Sequence, residues 1–164
     1  MSKVVLDSSV IIALSNLGYL HYLNQIFSDN LIPNAIYEEI CVKGAGLTGD
    51  RELQEVVKEG SIHVKKVKDK ILISALLDPL ALGEAEVLVL TLEEKADYAV
   101  IDDKVARARA RFMGLNVIGT LRVLRLMFDA DLIDKREFLR ALDELKQFGF
   151  RISDKVIEKV KERL

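Results

Sequence analysis

Asp7 closes the apolar run "KVVLD", and the adjacent pair Asp102 and Asp103 closes the apolar run inside "YAVIDDKVARAR". Glu39 lies six residues past Pro33 in "NAIYEEICVKG", and Glu84 stands at the head of the apolar stretch "LGEAEVLVLTLEEKA". If the two apolar runs are parallel strands, their ends share the edge at which such sheets bind ligands. Four or five carboxylates meeting there repel one another unless a cation neutralises them. An all-oxygen shell of carboxylates and water suits Mg²⁺ or Mn²⁺, whereas the paired Cys and His of a structural zinc site are missing. A cation held this way activates water and stabilises the charge that develops on a phosphodiester. The bland alternative is that the aspartates cap the helices that follow their strands.

Positive charge stands next to these acids. Lys104, Arg107 and Arg111 recur at spacings of three and four and so share one helix face, while Arg109 points elsewhere. Beside a cation site, that face offers phosphate contacts; away from one, it would be an ordinary solvated surface.

The elements that must position these side chains are legible as short apolar runs alternating with helical spacing. Residues 3–7 read as a strand, followed by helical spacing in "SSVIIALSNLGYLHYLNQIF" with Ser8 or Ser9 as N-cap and Gly18 as a break. "NLIP" reads as a second strand and "NAIYEEICVKG" as a helix capped by Asn34 and stopped at Gly44. The glycines of "GAGLTGD" mark a loop, and Asp50 is placed to cap "RELQEVVKEG". "SIHVKKV" reads as an edge strand, in which His63 has no acidic or cysteine partner at ligand spacing. Next come the helix "LGEAEVLVLTLEEKA", the strand "DYAVIDD", the helix "KVARARARFMG", the strand "LNVIGT" and the helix "LRVLRLMFDADLI". Such alternation predicts βαβ units, hence an α/β fold of three layers, α/β/α, around a mostly parallel central sheet. From Lys135 the chain reads as helix with a break near "GFRIS". The domain reading is an α/β part over residues 1–130 and a helical extension over 131–164 packed on or extending the same domain.

Composition sets outer bounds. The 164 residues are 50% hydrophobic and 30% charged, the profile of a compact globular protein. A net charge of −2 argues against binding nucleic acid by bulk attraction, so a polyanion must be held by local arrangement. The one cysteine, Cys41, cannot form an internal disulfide and reads as a buried helix residue in a reducing compartment. No signal-like segment and no run of about 18 apolar residues is present, so the expectation is a cytoplasmic protein with no membrane partner.

The motifs "VLDSSVIIAL", "IPNAIYEEI", "LGEAEVLVLTLE", "AVIDDKVARARA" and "VIGTLRVL", in this order over roughly residues 3–128, resemble those of PIN-domain ribonucleases, including VapC-like toxins of prokaryotic toxin–antitoxin pairs. The "GFRIS" segment is similar to that of a poorly characterised prokaryotic subgroup. The resemblance implies a PIN-like fold in which Asp7, Glu39, Glu84 and Asp103 are the catalytic acids, with Ser9 supporting Asp7 by hydrogen bonding. It implies Mg²⁺ or Mn²⁺ as cofactor, RNA as substrate, an antitoxin protein as partner and a homodimer. Two positions depart from the family pattern: Glu84 stands where an aspartate is usual, and Ile101 replaces a threonine, leaving Asp102 in a variable position beside Asp103. Asp102 is therefore expected either to join the metal site or to cap the helix.

The leading expectation is a metal-dependent endoribonuclease in which Lys104, Arg107 and Arg111 hold the RNA backbone. A catalytically silent PIN-like protein that works through a partner is the alternative from another class. A phosphatase with an aspartyl nucleophile ranks last, because that chemistry calls for a second acid where Ser9 stands.

Overall fold

Runs too short for helices become strands here because both of their faces are covered. A computed structural model of the chain describes residues 1–150, 152 and 154–163. In strand β1 (Ser2–Leu6) the consecutive residues Val4, Val5 and Leu6 are all fully buried. Successive side chains of a strand point to opposite faces, so this pattern requires cover on both, as in a helix-flanked parallel sheet. The other strands are β2 (Phe27–Pro33), β3 (His63–Lys65), β4 (Tyr98–Val100) and β5 (Val117–Ile118). They form a parallel sheet in the order β3-β2-β1-β4-β5. The three-layer α/β/α arrangement matches the expectation from the sequence, and the sheet is parallel throughout rather than mostly so.

Connections on either side of β1 run in opposite directions through the sheet. Helix α1 (Ser8–Leu17), a 3₁₀ turn (Leu20–Tyr22) and α2 (Leu23–Ile26) lead to β2. Helix α3 (Asn34–Tyr37) continues as a π-helix (Glu38–Lys43), and α4 (Asp50–Lys58) then leads to the edge strand β3, where His63 and Lys65 are exposed. Helices α5 (Lys70–Leu76) and α6 (Leu82–Glu93) carry the chain back across to β4. Helix α7 (Lys104–Phe112) joins β4 to β5, and α8 (Thr120–Asp129) follows.

Several helix starts sit one residue away from their expected caps. Asp7, not Ser8 or Ser9, occupies the N-cap position of α1, and its carboxylate makes no capping bond there. Pro33 precedes α3, so Asn34 is its first helical residue. Gly49, at φ 98°, precedes α4, and Asp50 instead accepts from Gly46 N–H at 2.8 Å and Gln54 Nε2 at 2.6 Å. Gly18 does end α1, in the left-handed conformation at φ 78°, with its N–H turned back onto Leu14 and Ser15 carbonyls. Cys41 is buried and unpaired, its thiol directed at the Asp50 carbonyl.

The chain divides into two compact units, Met1–Thr120 and Leu121–Leu164. In the second, α9 (Lys135–Gln147) is capped by Asp134, which accepts from Glu137 N–H at 2.7 Å while Glu137 accepts from Asp134 N–H. Its Phe138 ring packs 5.7 Å from that of Phe128, and Lys146 pairs with Asp154 at the start of α10 (Asp154–Glu162). The break expected at "GFRIS" includes Arg151 and Ser153, which lie outside the described residues.

Helix α6 is the element on which the first unit is packed. Val87, Leu88, Val89 and Leu90 are buried in succession, so the middle of the helix is covered on every side and belongs inside. It contacts β1, β2 and β4 as well as α3, α5 and α7. Leu88→Ala removes a fully buried side chain and is expected to lower the unfolding free energy by about 2–5 kcal/mol in urea titration, with the slope unchanged. A loss under about 1 kcal/mol would contradict close packing at that helix.

Candidate active site

The strand order decides where the first acid lies. β1 and β4 pair in parallel with Leu6 opposite Val100, and Asp7 N–H donates to the Val100 carbonyl at 3.1 Å. Ile101 N–H donates in turn to the Ile118 carbonyl on β5. Asp7 and the Ile101–Asp102 turn therefore leave the sheet side by side, where connections diverge to either side of β1. This is the topological switch point at which open α/β sheets form a ligand crevice.

Asp7 is only 4% exposed. Its carboxyl is raised from the usual 3.8 to about 7, chiefly by burial and further by the charges of Glu84, Glu39 and Asp102, against the opposing hydrogen bond from Ser8 N–H. Three carboxylates from three other parts of the chain thus act on the one that is buried.

Glu39 reaches this group from the π-helix. A π turn is wider than an α turn and tends to occur at functional sites. Glu39 Oε1 accepts from Ser8 Oγ at 3.3 Å. Glu38 lines a different hollow, with Lys66 and Lys70. Gly83 lets α6 come close: a Cβ there would stand 2.9 Å from Ile36 Cδ1 and 3.1 Å from Glu39 Oε2. Glu84, in the first turn of α6, accepts from Ala81 N–H at 3.0 Å through one oxygen. The Ser9 hydroxyl, expected to support Asp7, has no hydrogen-bond partner among the described residues. The contacts are made instead by Ser8, through its N–H to Asp7 and its hydroxyl to Glu39.

The paired aspartates divide their work in a definite way. Asp103 is the N-cap of α7, accepting from Ala106 N–H at 2.9 Å. Asp102 accepts from Thr120 N–H at 2.9 Å and from Thr120 Oγ1 at 2.6 Å, and it is Asp102 whose charge bears on Asp7. The helix-capping role considered for Asp102 therefore falls to its neighbour, because Asp103 is the residue immediately before the first turn of α7. Thr120 leaves only a faint mark in the sequence, a hydroxyl residue closing "VIGT" at the end of the strand beside β4. Gly119 is needed beside it, since a Cβ there would lie 2.6 Å from Asp102 Oδ1 and 2.9 Å from Arg107 Nη1. Arg107 Nη1 donates to the Ile101 carbonyl at 3.0 Å, which holds the guanidinium at the acidic edge. Lys104 and Arg111 project from the same helix into solvent.

Among the described residues no three Asp, Glu, His or Cys side chains are drawn close enough together to hold a metal ion. Glu39, Glu84 and Asp102 are each held by a donor of the protein itself, namely Ser8, Ala81 and Thr120. The donor chemistry nevertheless fits a hard divalent cation: oxygen only, several formal negative charges, and one carboxyl whose burial opposes ionisation unless positive charge is supplied.

Comparison with known proteins bears on the same region. A family model described as "PIN domain" matches residues 3–164. No curated protein matches the chain. Among solved structures the chain is similar to "a domain of a functionally unknown protein from Methanocaldococcus jannaschii DSM 2661", with 18% identity, 73% of this chain and 91% of that chain covered, and a TM-score of 0.49. That likeness is too slight to bear on function. No helix among the described residues is long and apolar enough to cross a membrane. The family match spans nearly the whole sequence, acidic edge included, and the chain belongs to the PIN-domain family, whose domains are generally nucleases.

Proposed function

We propose that this PIN domain is a divalent-metal-dependent endoribonuclease that hydrolyses RNA phosphodiester bonds with Mg²⁺ or Mn²⁺. The observation that carries the reading is the burial of Asp7 under the charge of Glu39, Glu84 and Asp102 at the switch point of the sheet. When bound, a divalent cation supplies Lewis acidity toward water and the phosphodiester. Asp7, Glu39, Glu84 and Asp102 would hold it. Thr120 fixes the direction of the Asp102 carboxylate, and Ser8 does the same for Glu39. Arg107 binds a substrate phosphate at the edge of the site, with Lys104 and Arg111 further along α7. In this reading Asp103, whose Oδ2 accepts from Ala106 N–H, caps the helix and Asp102 is the acid offered to the metal.

The same reading extends to the toxin of a toxin–antitoxin pair, cytoplasmic, working as a homodimer and restrained by an antitoxin protein. Its support is the resemblance of the sequence motifs. The competing reading, a catalytically silent binding protein, draws on the protein donors already engaged by Glu39, Glu84 and Asp102.

Two measurements separate them. In an RNA cleavage assay with Mg²⁺ or Mn²⁺, Asp7→Asn and Asp102→Asn are each expected to lower the rate by about 100-fold or more. Asp103→Asn, which keeps a good N-cap while removing the charge, stays within about a factor of three of the native rate. Chelator-resistant cleavage, or loss of activity in Asp103→Asn with Asp102→Asn active, would contradict the assignment.

The second measurement is stability against pH in the metal-free chain. The folded-state pKa of Asp7 is raised to about 7, so the folded chain keeps a proton that the unfolded chain has already lost. Its contribution is complete below about pH 4 and is lost as pH rises through about 7. Asp7→Asn is therefore expected to stabilise the metal-free protein at pH 8, by as much as about 4 kcal/mol, and hardly at all at pH 4. Added Mg²⁺ at pH 8 should raise the melting temperature of the native chain and leave that of Asp7→Asn unchanged.

A further inference from the structure

Helix α7 carries four basic residues, Lys104, Arg107, Arg109 and Arg111, and no acid. Its buried side is Ala106 and Ala110. Its outer side is unusual for a surface helix: Val105 is 50% exposed and Phe112 is 88% exposed. Val105, Ala108, Arg109 and Phe112 recur at i, i+3, i+4 and i+7, and together they line a shallow hollow of about 350 Å³. On the helix surface this apolar strip runs between Arg109 on one side and Lys104, Arg107 and Arg111 on the other.

Complementarity to the helix dipole explains Arg109 and Arg111 in the last turn, but not Lys104 in the first, where a cation is disfavoured. It explains still less a nearly bare phenylalanine. The side chains of Lys104, Arg109 and Arg111 have no hydrogen-bond or ion-pair partner among the described residues, so their charge is free for an outside anion. A second copy docking the same face would set four cations against four, which opposes a symmetric pair. Cations flanking an apolar strip that ends in an exposed ring suit a single-stranded nucleic acid, whose phosphates meet arginine and whose bases stack on the aromatic face.

The geometry points to the Val105–Ala108–Phe112 strip, flanked by Arg109, as a base-stacking platform for single-stranded RNA leading out of the acidic edge. This rests on the reading of that edge as a ribonuclease site. α7 begins directly after Asp103, and Phe112 lies about 12 Å along its axis from Lys104. The platform therefore engages bases flanking the cleaved bond and selects unpaired strands, because only unpaired bases present a free face.

Fluorescence anisotropy of the full chain in chelator, where nothing is cut, tests this with a labelled single-stranded oligoribonucleotide of mixed sequence and about 12 nucleotides. Phe112→Ala should weaken binding by about 5- to 100-fold, and Phe112→Trp should hold it within about threefold of native or tighten it. The same strand in a duplex should bind the native chain more weakly and be indifferent to Phe112→Ala. Equal affinity of native and Phe112→Ala for the single strand overturns the platform, and if the native chain still cleaves RNA with Mg²⁺ the nuclease reading survives that result. A native chain that neither binds nor cleaves any RNA overturns both. Dissociation of a native dimer by Phe112→Ala with RNA affinity unchanged makes the face a protein interface and overturns the platform alone.

Discussion

A carboxylate taken out of water loses solvation, and one placed beside other carboxylates is repelled as well. Asp7 suffers both because β1 and β4 are neighbours in the sheet and the turn after β4 presents Asp102 next to it. The strand order, the close approach of α6 at Gly83 and the π-helix that carries Glu39 all concentrate negative charge on that one buried group. The arrangement makes physical sense as a seat for positive charge, and the PIN-domain membership of the chain gives that charge a nuclease setting.

Second, the acidic edge is built together with its own restraints. Ser8 serves two carboxyl groups, by its N–H to Asp7 and its hydroxyl to Glu39. Thr120 gives both of its donors to Asp102, and Gly119 stays a glycine because any Cβ would collide with that carboxylate and with Arg107. Side chains held by such bonds lose less freedom on meeting a cation and a phosphate, which is how a site reaches productive geometry. The balance of charge is local: a chain of net charge −2 still carries a helix with four cations and no acid beginning one residue past the acidic pair.

The parts legible in the sequence were those with a strong local signal. Apolar runs as short as "KVVL" and "YAV" read as strands because burial on both faces leaves no polar alternation to confuse them. Glu39 is the acid the family resemblance implies, but the π-helix that separates its surroundings from those of Glu38 is a matter of packing and leaves no mark on periodicity. The family resemblance points to Asp103 as the acid and leaves Asp102 to join the metal site or to cap the helix; which of the two caps α7 depends on where that helix starts, and helix starts are uncertain by a residue or two. The same one-residue uncertainty hid the roles of Ser8 and Ser9. Thr120 was invisible for a different reason: its partner lies 18 residues away, across a strand pairing that the sequence does not state.

The most direct test is the titration of Asp7 itself, followed by carboxyl-¹³C NMR in the full chain with and without Mg²⁺. Without metal its midpoint should lie near pH 7, and saturating Mg²⁺ should move it down toward or below the ordinary carboxylate range. A midpoint near pH 4 that ignores Mg²⁺ would contradict the claim that Asp7 is buried as the centre of a cation-binding acidic site.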